Sequence, residues 1–367
     1  MRILVIRLKH VGDCLLALPV CSNLKQAFPG ATVDYLVLDH IAPLFRSHPD
    51  IDRVVTISPA ERRHTRLYLK KLLELRRRRY DLVLDLRTDS ITVLITLFTD
   101  ARRQIGFDRG KWRSRLYKTR VPYPEAGGSL NAKLSILKAL SIAKPLDTRF
   151  AVHLSHSEVE SMRGRMRGHG IEFSRPVFVF ATVGRVPSKT WPVEYFVEVI
   201  ENVLERYAAQ GILIWGPGEE ERVRAVTARI DRYFNVHADI GTGSDDVREL
   251  AALLANSTIF IGNDGGPRHI AEAVGKPTFT IFSPLMRKAA WLPHPGPRHR
   301  AVDLEDALGA DQLQRLDREE VARRQEFYHR KVTPPLVLAR LIPMLDELCA
   351  ESETTAVGRR IGTDNPL

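Results

Sequence analysis

Short runs of aliphatic and β-branched residues recur along this chain, each followed by a stretch whose apolar residues repeat at helical spacing. In the first half the runs are residues 2–7 (RILVIR), 32–38, 53–57 and 81–86 (DLVLDL). In the second they are 177–181 (VFVFA), 212–215, 236–240, 258–261 and 278–282. Strands that alternate with helices are joined by crossovers rather than hairpins, so the pattern predicts parallel sheets covered by helices on both faces. The chain has 367 residues, room for two domains at roughly 100–200 residues each. The rhythm breaks over residues 144–176, where a helix over 156–169 leads through Gly170 into the strand at 177. The expected organisation is therefore two Rossmann-like, doubly wound α/β units, 1–155 and 175–332, facing a central cleft. A terminal helix over 333–350 and a polar, disordered tail over 351–367 complete it. Further helices are expected over 61–79, 193–208, 219–232, 245–255, 267–274 and 311–330.

Lys and Arg outnumber Asp and Glu by 55 to 44, a net charge of +11. Residues 1–155 hold 28 basic against 14 acidic side chains, so the first half carries +14 and the remainder −3. Such a surplus fits a polyanionic partner, whether nucleic acid, a membrane surface or a phosphorylated substrate, and charge alone does not choose among them. Residues 61–79 set Leu67, Leu69, Leu72, Leu73 and Leu75 among Arg and Lys, the pattern of a surface helix with one apolar face. The cysteines Cys14, Cys21 and Cys349 match no metal-ligand spacing and are odd in number, which points to a reducing compartment. Residues 14–22 only faintly imitate a leader, and no run approaches the roughly 18 apolar residues that a membrane span needs.

In doubly wound folds ligands bind where strand carboxyl ends meet helix N-termini, so four turns carry the functional information. The first, residues 8–13, lacks G-x-G-x-x-G and gives a nicotinamide or flavin enzyme no support. Its Asp13 reads either as a helix N-cap or as a cleft-edge carboxylate able to act as general base. A capping carboxylate is the weaker base, because the backbone N–H bonds it accepts stabilise its charged form. The second turn, residues 261–269 (IGNDGGPRH), has the chemistry of a phosphate cradle: glycines admit backbone amides to an anion and Pro267 starts a helix. The alternative is a plain turn capped by Asp264, with His269 packing one turn inside the helix. The third, residues 182–192 (TVGRVPSKTWP), offers Lys189 as a point charge for a diphosphate, or as an ordinary surface lysine. The fourth, residues 215–220 (WGPGEE), places Glu219 and Glu220 to accept from a ribose diol, or simply to favour a helix start.

At these residues the chain resembles a known family, the bacterial heptosyltransferases of glycosyltransferase family nine, which build the inner core of lipopolysaccharide. Gly12-Asp13, Pro19 and Ala27-Phe28-Pro29 look like the family's opening. Residues 80–86 (YDLVLDL) and 105–107 (IGF) are similar to its middle landmarks. Residues 189–192 match its Lys-x-Trp-Pro element, and residues 263–269, running on through Ala271, Ala273, 275–277 (GKP) and Phe282, resemble its Asp-Ser/Thr-Gly-Pro-x-His helix start. The resemblance covers about residues 1–285. It implies a GT-B fold, no cofactor and no essential metal, an ADP-heptose donor bound by the second half, and an anionic lipid-linked oligosaccharide acceptor bound by the first. Carried over by position, it makes Asp13 the general base for inverting attack. It sets Lys189 on the diphosphate, Asp264, Gly265, Gly266 and His269 around the phosphate and sugar, Thr182 beside the nucleotide and Glu220 on the ribose. The basic side chains Arg62, Arg63, Arg109, Arg113 and Arg120 would meet the acceptor or an anionic membrane, placing the enzyme at the cytoplasmic face of the inner membrane as a peripheral protein. Gly265 and Leu285 stand where the family usually carries a hydroxyl residue, and no His lies near Asn131, where members often have one. A different nucleotide sugar, a nucleotide-sugar epimerase and a non-enzymatic polyanion binder remain the competing readings, with nucleic acid the most distant partner.

Overall fold

The structure, a computed structural model, describes all residues except 125, 126, 143, 144, 185, 187, 188, 231–245 and 362–367, and only the backbone of 351–361. Its strands form two parallel sheets. The first contains β1 (Arg2–Ile6), β2 (Thr32–Leu38), β3 (Arg53–Ile57), β4 (Leu82–Asp85), β5 (Arg103–Asp108) and β6 (Thr119–Pro122), in the order β3-β2-β1-β4-β5-β6. The second contains β7 (Val177–Ala181), β8 (Gln210–Leu213), β9 (Ile259–Asn263), β10 (Thr278–Ile281) and β11 (His299–Val302), in the order β11-β10-β9-β7-β8. Ile3, Leu4, Val5 and Ile6 of β1 are all buried, as are all five residues of β7, because helices cover both faces of each sheet.

Several elements depart from the expectation. β5, β6 and β11 were not foreseen: β6 and β11 are edge strands carrying Arg, Pro or His, and β5, between β4 and β6, is broken by Arg, Gln, Gly and Asp, so none shows the continuous apolar run of a central strand. β8 begins two residues early, at Gln210, whose buried side chain exchanges hydrogen bonds of 2.6 and 2.9 Å with the backbone of Glu172. The expected strand 236–240 lies outside the described residues. The basic segment 61–79 is two helices, Pro59–Arg63 and Thr65–Arg77, separated by extended backbone at His64. Only Leu72 and Leu75 of its leucines are buried, while Leu67, Leu69 and Leu73 are exposed. The stretch 311–330 is likewise three short helices, with Asp317 capping the second. The terminal helix, Pro334–Ile361, continues past Glu351.

The strand orders decide where a ligand can sit. In the first sheet the direction of winding reverses between β1 and β4, and in the second between β7 and β9. At such a reversal the two flanking helices lie on opposite faces and leave a crevice at the carboxyl ends of the strands. The two crevices adjoin, because the helix after β1, Val11–Leu15, packs against the helix after β9, Gly266–Ala273. A continuous apolar core runs from Ile3 and Leu15 to Val177 and Ile270.

Candidate active site

The crevice of the first sheet holds a cavity of about 360 Å³. The turn after β1 contributes Arg7, Lys9 and Asp13, and the turn after β4 contributes Arg87. Asp85 shapes the second turn: its buried carboxylate accepts from the backbone N–H groups of Arg87 at 2.8 Å and Thr88 at 2.9 Å, and from the Tyr117 hydroxyl. Asp13 is not a helix cap. It is the third residue of Val11–Leu15, whose N-cap position is His10, so its carboxylate is spent on side chains instead. Arg7 donates a hydrogen bond and an ion pair to it, and Lys133 Nζ lies 3.5 Å from the same oxygen. Burial pushes the Asp13 carboxyl up, but Arg7, Lys133 and Lys9 together outweigh it and hold the group below the usual carboxylate range. Asp13 is therefore ionised at neutral pH and faces the cavity as an acceptor-only group.

Of the basic residues expected to meet the acceptor, Arg109 lines this cavity, its guanidinium 3.8 Å over the Tyr123 ring. Arg62 and Arg63 are exposed on the helix Pro59–Arg63, Arg113 is half-buried in the 3-10 segment Trp112–Leu116, and Arg120 faces Asp108 at 3.6 Å. None of these four borders the cavity.

The crevice of the second sheet is organised by Asn263. Its amide accepts from the Trp191 backbone N–H at 2.9 Å and donates to the carbonyls of Ala181 and Thr182 at 3.2 and 3.0 Å. One buried side chain thus ties the end of β9 to the end of β7 and to the Lys189-Thr190-Trp191 segment. Trp191 is fully buried and its indole N–H reaches the Val332 carbonyl at 2.8 Å, which anchors that segment. The Thr182 hydroxyl is buried without a hydrogen-bond partner among the described residues, which leaves a polar atom for a ligand at the switch point, while Asp264 Oδ1, likewise without a hydrogen bond, faces Arg268 Nε at 3.5 Å. Burial pushes the Asp264 carboxyl up, opposed by Arg268 and by the nearby charge of exposed Lys189. Gly265 and Gly266 open the helix beneath them with Pro267 in its first turn. Glu219 and Glu220 bond to backbone N–H groups of their own turn, at Gly216 (2.8 Å) and Gly218 (3.3 Å). Leu285 packs against a satellite cluster of Leu304, Leu313, Val321 and Tyr328, which accounts for an apolar residue there.

The two crevices meet at several contacts. His269 packs against Gly12, and Val11 against Gly266. Trp291, from the helix Lys288–Trp291, sets its ring 5.9 Å from Lys133 Nζ. Arg268, fully buried, donates to the Trp291 carbonyl at 2.7 Å and to Glu272 at 3.0 Å. Burial, with Arg268 and Lys133 alongside, holds the His269 imidazole well below its ordinary value, so it is neutral. The structure thus brings His269 against Gly12, the residue before Asp13, and gathers Thr182, Lys189 and Asp264 around the end of β9. Arg7, Arg87, Lys133, Asn263, Arg268 and Trp291 were not singled out from the sequence. The one available signal was a lysine between Ala132 and Leu134 on a short helix.

Residues 68–292 match the family model described as glycosyltransferase family 9 (heptosyltransferase). The chain is 28% identical over 284 residues to lipopolysaccharide heptosyltransferase 3 of Escherichia coli strain K12, covering 75% of this chain and 80% of that protein. It is 26% identical to lipopolysaccharide heptosyltransferase 1 of Pseudomonas aeruginosa, covering 77% and 79%. Among solved structures, a family 9 glycosyltransferase from Veillonella parvula superimposes with a TM-score of 0.79 at 18% identity, over 94% of this chain and 97% of that one. The E. coli ADP-heptose lipopolysaccharide heptosyltransferase II does so with 0.72 at 21% identity, over 96% and 100%. The fold is that of these proteins.

A Cβ added to Gly12 would stand 2.3 Å from Cδ2 of His269. Gly12→Ala is therefore expected to destabilise the protein by about 1–3 kcal/mol, as other overpacked cores are, and to lower the midpoint of thermal unfolding. A variant that melts with the parent would show that the two helices separate without cost.

Proposed function

The chain belongs to glycosyltransferase family 9, the heptosyltransferases, and from that membership we propose that it transfers a heptose from ADP-heptose, with inversion, to a hydroxyl of an anionic lipopolysaccharide inner-core acceptor. The relatives named above are lipopolysaccharide heptosyltransferases, and one fold neighbour from E. coli is a heptosyltransferase solved with ADP-2-deoxy-2-fluoro heptose. The observation that carries the reading is the ionised Asp13 carboxylate at a cavity walled by both halves. Asp13 takes the proton of the acceptor hydroxyl as its oxygen attacks the anomeric carbon. The bond from that carbon to the diphosphate breaks, and the electron pair leaves with ADP. Lys189 and the N-terminal amides of Gly266–Ala273 offset the charge that ADP gains, so the reaction needs no metal ion. Thr182, Asp264, Gly265, Gly266 and His269 line the diphosphate and sugar, and Glu220, once released from Gly218, holds the ribose. Arg7, Lys9, Arg87 and Arg109 make the cavity cationic, which suits a carboxylate- or phosphate-bearing acceptor.

The acceptor is lipid-linked, and the first half carries a surface suited to its membrane. The helix Thr65–Arg77 exposes Leu67, Leu69 and Leu73 beside exposed Arg66, Lys70 and Arg77, and the adjoining helix Ser90–Thr99 exposes Leu94 and Leu97. Apolar side chains ringed by cations fit an anionic leaflet contacted from one side. No helix among the described residues is long and apolar enough to cross a membrane.

Three outcomes test this reading. ADP-heptose is expected to raise the melting temperature where UDP- and GDP-sugars do not, and Lys189→Ala to weaken that shift; stabilisation by the other nucleotides alone would reject the donor. Asp13→Asn is expected to keep the donor-induced shift and lose about 100-fold or more in turnover, and unchanged turnover would remove Asp13 from the chemistry. In flotation with vesicles the protein is expected to rise with anionic and not with neutral lipid, and Leu69→Asp with Leu73→Asp to abolish this. Binding that survives the double substitution would rule out the leucine face.

A further inference from the structure

Asp13 faces a fixed cation and a variable one at the same oxygen. Arg7 cannot give up its proton, whereas Lys133 can. The side chains of Arg7, Asp13 and Lys133 are 7%, 12% and 3% exposed, so if all three were ionised the enclosed site would hold an uncompensated positive charge. Few other groups face Lys133. Arg7 repels its ammonium, Asp13 and the buried Cys14 thiol favour it, and His269 across the domain contact is neutral. Trp291 covers the amine from the second half, and Lys288 on the same helix is occupied by Asp306 at 2.6 Å.

The hydrogen bonds at Nζ show how one proton can move. Nζ donates to the Ser129 carbonyl at 3.1 Å and to Ser129 Oγ at 2.5 Å, and its third tetrahedral direction is left for Asp13 at 3.5 Å. An ammonium fills that direction with a third N–H, and a neutral amine with its lone pair. In either state Ser129 holds the nitrogen in place. We propose that Lys133 is a positioning residue that shares one proton with Asp13: a neutral amine while the carboxylate awaits the acceptor, and an ammonium once the hydroxyl has been deprotonated. This rests on the reading of Asp13 as the base. As the new carbon–oxygen bond forms and the bond to ADP breaks, the hydroxyl proton passes to Asp13. It then passes to the lone pair of Nζ, which regenerates the carboxylate, and leaves to water when products depart.

The relay resolves a difficulty in the site. A carboxylate paired with the permanent charge of Arg7 is a weak base, and proton transfer is most efficient when the accepting group titrates near the working pH. Burial, followed by repulsion from Arg7, pulls the Lys133 amine down to about 7, so the pair supplies a base strength that Asp13 alone lacks.

Two measurements on the full chain test this. Side-chain NMR of lysine-labelled protein, with the Lys133 signal identified from its loss in Lys133→Arg, is expected to show Lys133 titrating near pH 7 and moving lower in Asp13→Asn. An ammonium that persists above about pH 9 overturns the proposal whatever the enzyme's activity. The profile of kcat/KM between about pH 5 and pH 9 is expected to fall on the acid side near 7 in the parent. Lys133→Met is expected to move that limb into the carboxylate range and to cut kcat by about 100-fold with KM little changed, and Lys133→Arg not to restore it. An acid limb that stays in place in Lys133→Met overturns the relay. A parent that titrates as described but transfers no heptose would instead reject the proposed function and leave the shared proton standing.

Discussion

The site depends on the approach of two short helices, one from each half, to a distance that only glycine allows. Val11–Leu15 follows β1 and Gly266–Ala273 follows β9, and they touch where Gly12 meets His269 and Val11 meets Gly266. Each helix stands at the carboxyl edge of its own sheet, beside the point where the winding reverses. Their contact therefore joins two crevices that would otherwise be separate, with Asp13 on one side and the Asp264–Gly266 turn on the other. The constraint is steric rather than conformational: Gly12 is helical, and what excludes a side chain is a fully buried imidazole.

Two buried charge networks flank that contact. Arg7, Asp13 and Lys133 belong to the first half. Arg268, Glu272 and His294 belong to the second, with His294 bonded to Glu272 at 2.8 Å and reaching Thr148 at 3.3 Å. Trp291 touches both, since its carbonyl accepts from Arg268 and its ring covers Lys133. Buried ion pairs of this kind add little net stability, because desolvation offsets the attraction, but breaking one strands a charge. Their effect is positional: Arg268, fully buried and bonded to Glu272, fixes the Trp291 backbone that lines the cavity.

The extent to which this was legible from residues alone varied with the kind of interaction. Central strands such as β1 and β7 announce themselves because burial on both faces demands an unbroken apolar run. Outer strands such as β6 and β11 do not, because solvent on one edge permits Arg, His and Pro. The chemistry-bearing turns were visible because glycine, proline and carboxylate cluster there, yet their division of labour was not. Asp13 has the local sequence of a cap and lies two residues inside the helix instead. Glu219 and Glu220 have the position of ribose ligands and bond to their own turn.

Short apolar runs alternating with stretches of helical period were sufficient to establish two doubly wound sheets and to mark the turns at their carboxyl edges, since those properties follow from local backbone geometry and from which faces must be apolar. Only the tertiary structure decided which charges share a site. Arg7 and Lys133 are 126 positions apart and Lys133 and Trp291 are 158 apart, and nothing local to any of them records that the three meet around Asp13. Proximity of that kind is set by the packing of the two halves, and with it the protonation of Asp13 and Lys133, because in a buried site charge state depends on neighbours and dielectric rather than on residue type.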